Sequence, residues 1–234
     1  MKKNIYLLSV IFFLMLQACS DSNSTNDTIN EPPTFTVGPN LTDIDGNIYQ
    51  SITNCSQTFM QSNLNVSRYR NGDIIPQVEN RNEWDNLTTG AWCYYNNDPA
   101  NGAIYGKLYN VFAVNDPRGL APVGWHIPSF NEWTTLITCL GGVDVAGDKM
   151  RETGTSHWSY NNGATNSSGF TALPGGFRTT LRPTDANITV AGQFWSSSSA
   201  DNSNNVITLL AVNPEISITI GGQLSGFSIR CIKD

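Results

Sequence analysis

The stretch GWHIPSFNEWTTLITCLGG, Gly124 to Gly142, carries a full set of signals for one helix. Ser129 and Glu132 stand in the S-x-x-E spacing of a capping box. The serine side chain accepts from the backbone N–H of residue 132, and the glutamate reaches back to that of residue 129. Pro128 and Trp133 hold the positions of a hydrophobic staple. Phe130, Trp133, Leu136, Ile137 and Leu140 make one apolar stripe, and Gly141 is placed to end it. This reading explains Glu132 without catalysis. His126, just before the helix, is expected to be partly buried and bonded to backbone carbonyls. The only other histidine, His157, shows no ligand-like spacing with it, so no metal or catalytic pair is expected there. Cys139, at the edge of the stripe, suits a helix-to-strand disulfide better than a reactive thiolate.

The rest of the chain reads as short strands and turns. DIDGNIYQSIT predicts two strands around an Asp45-Gly46 turn, and RYRNGDII repeats the device at Asn71-Gly72. NEWDNLTTG predicts a short helix stopping at Gly90. AWCYY and IYGKLYNVFAV read as strands, although the second does not exclude a helix. QFWSSSS, NVITLLAV, EISITIG and GFSIRCI predict a C-terminal meander. In it Ile216, Ile218 and Ile220 share one face, as do Phe227, Ile229 and Cys231. The expected class is α+β: short helices packed on a small, mainly antiparallel sheet, with long ordered loops. Only 14% of residues are charged and 20 are glycine, a balance that suits a secreted, loop-rich protein. The formal charge of −6 and the lack of a basic stripe argue against a nucleic-acid partner.

The N-terminus supplies an address. Lys2 and Lys3 precede an apolar run, Ile5 to Leu16, too short to span a bilayer comfortably. Leu16-Gln17-Ala18-Cys19 then resembles a bacterial lipobox, which implies cleavage before Cys19 and its lipidation. Ser20, where inner-membrane retention favours Asp, implies the outer membrane, with the chain held there by its acyl groups and facing the cell surface. The expected parts are a signal peptide over residues 1–18, a lipidated cysteine with a disordered tether over 19–39, and one folded domain over 40–234. Asp27-Thr28-Ile29 resembles an O-glycosylation acceptor. Export would place Cys55, Cys93, Cys139 and Cys231 in an oxidising compartment, where an even count fits two disulfides in one of three connectivities.

Several stretches resemble the Fibrobacter succinogenes major paralogous domain, a family of exported bacterial proteins. They include NLNVSRYRNGDIIPQV, WDNLTTGAWCYYNNDPAN, YGKLYN, AVNDPRGLAPVGWHIPS, EWTTLITCLGG, GATNSSGFTALPGGFR, FWSSSS and GFSIRC, in order over about residues 43 to 234. Two positions depart from the pattern: Ala121-Pro122 stands where many members carry Cys-Pro, and Phe194-Trp195 where many carry Trp-Trp. The pattern also resembles C-type-lectin-like folds, in which a capped helix precedes a meander ending in a cysteine-bearing strand. That resemblance implies a Cys139–Cys231 bond and leaves Cys55 with Cys93.

No G-x-S-x-G, H-E-x-x-H or P-loop occurs, and no carboxylate pair stands out, so an enzyme is not expected and no catalytic residue is assigned. No cofactor is expected. Calcium is the one ion with a candidate segment, at Asp43, Asp45 and Asn47, but a hairpin turn explains that segment without it. Gly169, Gly175 and Gly176 mark GATNSSGFTALPGGFR as a loop-building segment, in which Arg178 is not expected to clamp substrate. The favoured function is a binding module for carbohydrate, with Trp195, Trp158, Tyr160, Asp201 and Asn202 as the candidate surface. The alternative is a structural or adhesion protein that contacts other surface proteins.

Overall fold

Turn chemistry sets the local geometry from the first hairpin onward. The computed structural model describes residues 35–182, 184–200 and 203–234. Cys19, the signal and tether expectations, and Asp201 and Asn202 lie outside the described residues. In the first hairpin, Leu41–Thr42 pairs with Ile48–Tyr49, and Gly46 takes the left-handed conformation at φ 87°. Asp43 organises the turn. Its carboxylate accepts from the N–H groups of Asp45 and Asn47, the Asn47 amide and the Tyr49 hydroxyl. Asn71-Gly72 closes a second, smaller turn under the Arg68–Ile74 bridge.

The class is α+β, with short helices and several small antiparallel sheets. A five-stranded sheet runs in the order Thr36–Val37, Ser51–Asn54, Gln57–Met60, Ile232–Lys233, Trp125–His126. A three-stranded sheet joins Ala191–Ala200, Ser203–Leu210 and Ile216–Ile220 in chain order. Three of the four expected meander strands are therefore a meander. The fourth, GFSIRCI, leaves it: Ile232 pairs with Phe59 and His126 in the larger sheet. The reason lies in its polar positions. Phe227, Ile229 and Cys231 enter one core cluster as expected, but Ser228 and Arg230 on the other side are buried too. A segment buried on both faces belongs to the interior: at Ser228 it lies beside Phe194 in an isolated parallel bridge, and its end joins the larger sheet.

IYGKLYNVFAV also differs from its expectation as a strand. It contains the end of the helix Pro99–Tyr105, a two-residue strand Leu108–Tyr109, and the helix Val111–Val114. Gly106, at φ 75°, stops the first helix, and the Asn110 side chain starts the second by accepting from Ala113 N–H. NEWDNLTTG gives the short helix Arg81–Trp84, capped by Asn80, which stops before Gly90.

The helix Phe130–Cys139 has the capping box foreseen for it. Gly141 and Gly142, both at positive φ, return N–H groups to Thr138 and Ile137, the paired bonds of a Schellman ending. Its buried residues Trp133, Leu136 and Ile137 join Phe59, Phe170, Phe194, Ile207, Leu209 and Ile216 in one cluster. Trp195 and Val206 belong to the other large cluster, with Tyr109, Trp125 and Ile229. Neighbouring residues of the hairpin Ala191–Leu210 thus point to opposite sides, and the hairpin is the wall between two cores.

The disulfide pairing corrects the expectation. Cys55 bonds Cys139, with Cα atoms 6.0 Å apart, and Cys93 and Cys231 are buried free thiols. Cys55 lies at the tip of the hairpin Ser51–Met60, which already meets the helix through Gln57 Nε2 to the Glu132 carbonyl at 3.1 Å. Cys231 is enclosed in the cluster that holds Ala121, Tyr109 and Trp125, and Cys93 in a third cluster with Trp84. Neither reaches a second thiol among the described residues. Burial raises both thiols far above the usual range, so neither is a ready nucleophile.

Candidate functional site

Two of the expected binding aromatics are core residues. The Trp195 ring is fully buried, and its indole N–H donates to the Tyr109 carbonyl at 2.7 Å. Trp158 is equally buried and donates to the Ala172 carbonyl at 3.1 Å. Neither offers a ring face to a ligand. The physical cause is the same for both: a buried tryptophan needs one acceptor for its N–H, and a backbone carbonyl from another part of the chain supplies it. Tyr160 is 49% exposed, and its hydroxyl accepts from Asn162 Nδ2.

The polar residues converge elsewhere. A groove of about 570 Å3 is lined by Thr88, Thr89, Phe112, Asn115, Asp116, Arg118 and Gln223, among others. Asn110, fully buried, ties its walls together. The Asn110 Oδ1 accepts from the N–H groups of Ala91 and Ala113, and its Nδ2 donates to the Thr89 carbonyl. Gly90 lets those walls approach: a Cβ there would lie 1.9 Å from the Tyr69 hydroxyl and 2.9 Å from Ala113 Cα. At one end Asn115 and Asn204 exchange side-chain amide bonds of 3.2 and 2.9 Å, and Asn204 also donates to the Ser196 carbonyl. This anchors the groove to the two strands Ala191–Ala200 and Ser203–Leu210.

Charges in the groove are paired. Arg118 grips Asp116 through Nε and Nη2 at 2.9 and 2.8 Å, reaches Asp73 at 3.0 Å, and lies 4.0 Å over the Tyr69 ring. The hydrogen bond from Arg118 holds the Asp116 carboxyl below its ordinary range. Asp73 is held low by Asn71 and then by Arg118. The groove therefore presents hydroxyls, amides and an internally neutralised ion pair, with Phe112 half-buried among them. That set suits hydrogen bonding to a polar, uncharged ligand. Sequence reading missed Asn110, Asn115 and Asp116, although the N-cap spacing of Asn110 before an apolar run was a usable signal.

The histidines are better engaged than foreseen. His126 bonds carboxylates and not backbone carbonyls: Nε2 meets Glu132 at 2.8 Å and Nδ1 meets Asp234 at 2.8 Å. Glu132 keeps its capping role, accepting the Ser129 N–H and hydroxyl on its other oxygen. Burial would lower the His126 pKa, but the bonds and charges of Asp234 and Glu132 outweigh it and hold the pKa above its ordinary value. His157 bonds Glu152 at 2.8 Å. Among the described residues no group of three His, Cys, Asp or Glu is placed to hold a metal ion, and the Asp43 oxygens are already taken by the turn. Arg178 is a buried structural hub. It bonds Asp185 at 2.9 and 3.1 Å, the Val78 carbonyl and Asn97, while Arg81 shares the same Asp185.

Comparison with known proteins gives one match. The model of the family described as Fibrobacter succinogenes major domain aligns with residues 52–233. No curated protein and no solved structure matches the chain. The matched span includes the buried residues of both large clusters except Tyr49, the Cys55–Cys139 bond and the whole groove. The chain belongs to the Fibrobacter succinogenes major domain family.

Proposed function

We propose that this chain is an exported, lipid-anchored binding module of the outer membrane, that it acts by binding and not by catalysis, and that it holds a carbohydrate in the groove beside Phe112. One observation carries the reading: hydroxyl and amide side chains of Thr88, Thr89, Asn115 and Gln223 line a groove walled by a half-buried aromatic ring. Sugar hydroxyls pair with such groups, and sugar C–H faces pack on a ring. The self-paired Asp116 and Arg118 fit a neutral ligand better than an ionic one. The lipobox-like Leu16–Cys19 supports the anchor, and resemblance supports a C-type-lectin-like arrangement.

The test is glycan-array binding by the whole chain carrying Cys19→Ser to free it from lipid. A sugar-specific signal is expected, falling at least tenfold in Gln223→Ala and in Phe112→Ala with melting temperature unchanged. Silence across glycans, or a signal indifferent to both variants, overturns the reading. Silence combined with binding to another surface protein favours the adhesion alternative. Mass spectrometry of the mature N-terminus tests the anchor: an unmodified Cys19 removes it.

A further inference from the structure

The strand Ile216–Ile220 has one open edge. Its inner side pairs with Ser203–Leu210, matching Thr219 to Val206 and Ser217 to Thr208. Alternate residues of an antiparallel ladder turn their N–H and C=O to the same side. Ile216 donates outward to the Val143 carbonyl at 2.8 Å, and Gly221 donates inward to Asn204 at 2.9 Å. Ile218 and Ile220 therefore turn their backbone groups outward. Among the described residues no strand covers them.

Edges of this kind are normally blunted by a charge, a proline or a bulge. This one has none: the sequence is ISITI, every residue β-branched or serine, and Ile220 is 70% exposed. The stretch Ile218-Thr219-Ile220 reads the same in either direction, so an isologous contact centred on Thr219 sets isoleucine against isoleucine. The Val143 carbonyl occupies the edge at Ile216, so only the part beyond it is free. Within that stretch both outward-turned residues, Ile218 and Ile220, can be paired at once. A second copy running antiparallel sets Ile218 against Ile220, Ile220 against Ile218, and Thr219 against Thr219.

Charge supports the choice of partner. The chain carries a net −6, so most of its surface repels another copy. The paired span is uncharged, and Glu215 falls outside it. We propose that two copies of this chain pair through this edge, about a two-fold axis at Thr219. The two sheets become one of six strands, the exposed Ile220 is covered by Ile218 of the other copy, and the contact closes on itself at the dimer.

Cross-linking of the full chain in its own membranes tests this. Thr219 and its mate form a non-hydrogen-bonded pair, with Cα atoms about 4.5 Å apart, within reach of a disulfide. Ser217 residues of the two copies lie roughly 13 Å apart along the strands. Under mild oxidation Thr219→Cys is expected to run mainly as a disulfide-linked dimer. Ser217→Cys should cross-link at least fivefold less, and adding Ile220→Lys to Thr219→Cys should abolish the dimer. Equal cross-linking at 217 and 219 overturns the proposal. So does a protease-resistant but monomeric Thr219→Cys chain, or a product whose mass shows another protein. Sedimentation of the unmodified chain against Ile220→Lys gives a check free of new cysteines: the unmodified chain should dimerise at least tenfold more tightly, and two equal monomers overturn the proposal.

Discussion

Arg230 shows how much a single side chain can hold together. Its guanidinium is fully buried and faces no carboxylate among the described residues. It donates to the carbonyls of Met60, Gln61 and Phe170 and to Asn63 Oδ1, and lies 4.3 Å from the centre of the Phe170 ring. Burial pulls its pKa down to about 9, with the Cys231 thiol a lesser, opposing influence. These bonds join the end of the strand Gln57–Met60 to the Phe170 loop. Arg230→Met leaves those acceptors buried and unsatisfied. Each neutral acceptor so stranded costs about 1–3 kcal/mol, read as a lower midpoint in urea unfolding. Arg230→Lys should recover only part of this, because an ammonium cannot reproduce the planar fork of donors. Nothing in the run GFSIRCI announces this role. Alternation of apolar and polar residues is the mark of a half-exposed strand, and only the distant carbonyls reveal that the polar side is enclosed. Trp195 and Trp158 were hidden the same way, since a tryptophan in a serine- or glycine-rich segment reads alike whether its ring is inside or out.

Local elements were far more legible, because their signals lie within one turn of chain. The capping box, apolar stripe and glycine stop of the helix Phe130–Cys139 stand where their spacing put them, as do the Asp45-Gly46 and Asn71-Gly72 turns. Ser129→Ala should therefore cost about 1 kcal/mol in thermal or urea unfolding, the usual loss of an N-cap. The partners of His126 were not legible, because Asp234 is brought to it only by pairing of Ile232–Lys233 with Trp125–His126. That contact makes stability depend on pH in a definite sense. The His126 pKa is raised, so its contribution is full below about pH 6.5 and fades as pH rises through the folded value. Glu132 is held low: burial opposes ionisation, but the Ser129 backbone and hydroxyl bonds and His126 prevail. Its contribution is present above about pH 4.3 and is lost as pH falls through the folded value. The melting-temperature gap between the unmodified chain and His126→Gln should be wider at pH 5.5 than at pH 8. A gap independent of pH removes the ion-pair account.

At the scale of the whole molecule the Cys55–Cys139 bond is the one covalent tie among the described residues, and it spans 84 residues of sequence. Loop-closure entropy puts the loss on reduction at about 4–5 kcal/mol. Dithiothreitol should lower the melting temperature clearly, and Cys139→Ser should reproduce the shift and abolish any further response. Non-reduced peptide mapping should recover Cys55 and Cys139 linked, with Cys93 and Cys231 alkylated only after denaturation. Pairing was beyond the reach of sequence because it depends on which hairpin tip meets the helix end, a tertiary fact. The hairpin Ala191–Leu210 carries a larger consequence. Since Phe194 and Ile207 serve one interior and Trp195 and Val206 the other, pulling either half away strips its neighbour of a lining. Melting should be all-or-none, with calorimetric and van't Hoff enthalpies equal, and a lesion such as Ile207→Ala should be felt at Trp125 as strongly as at Trp133.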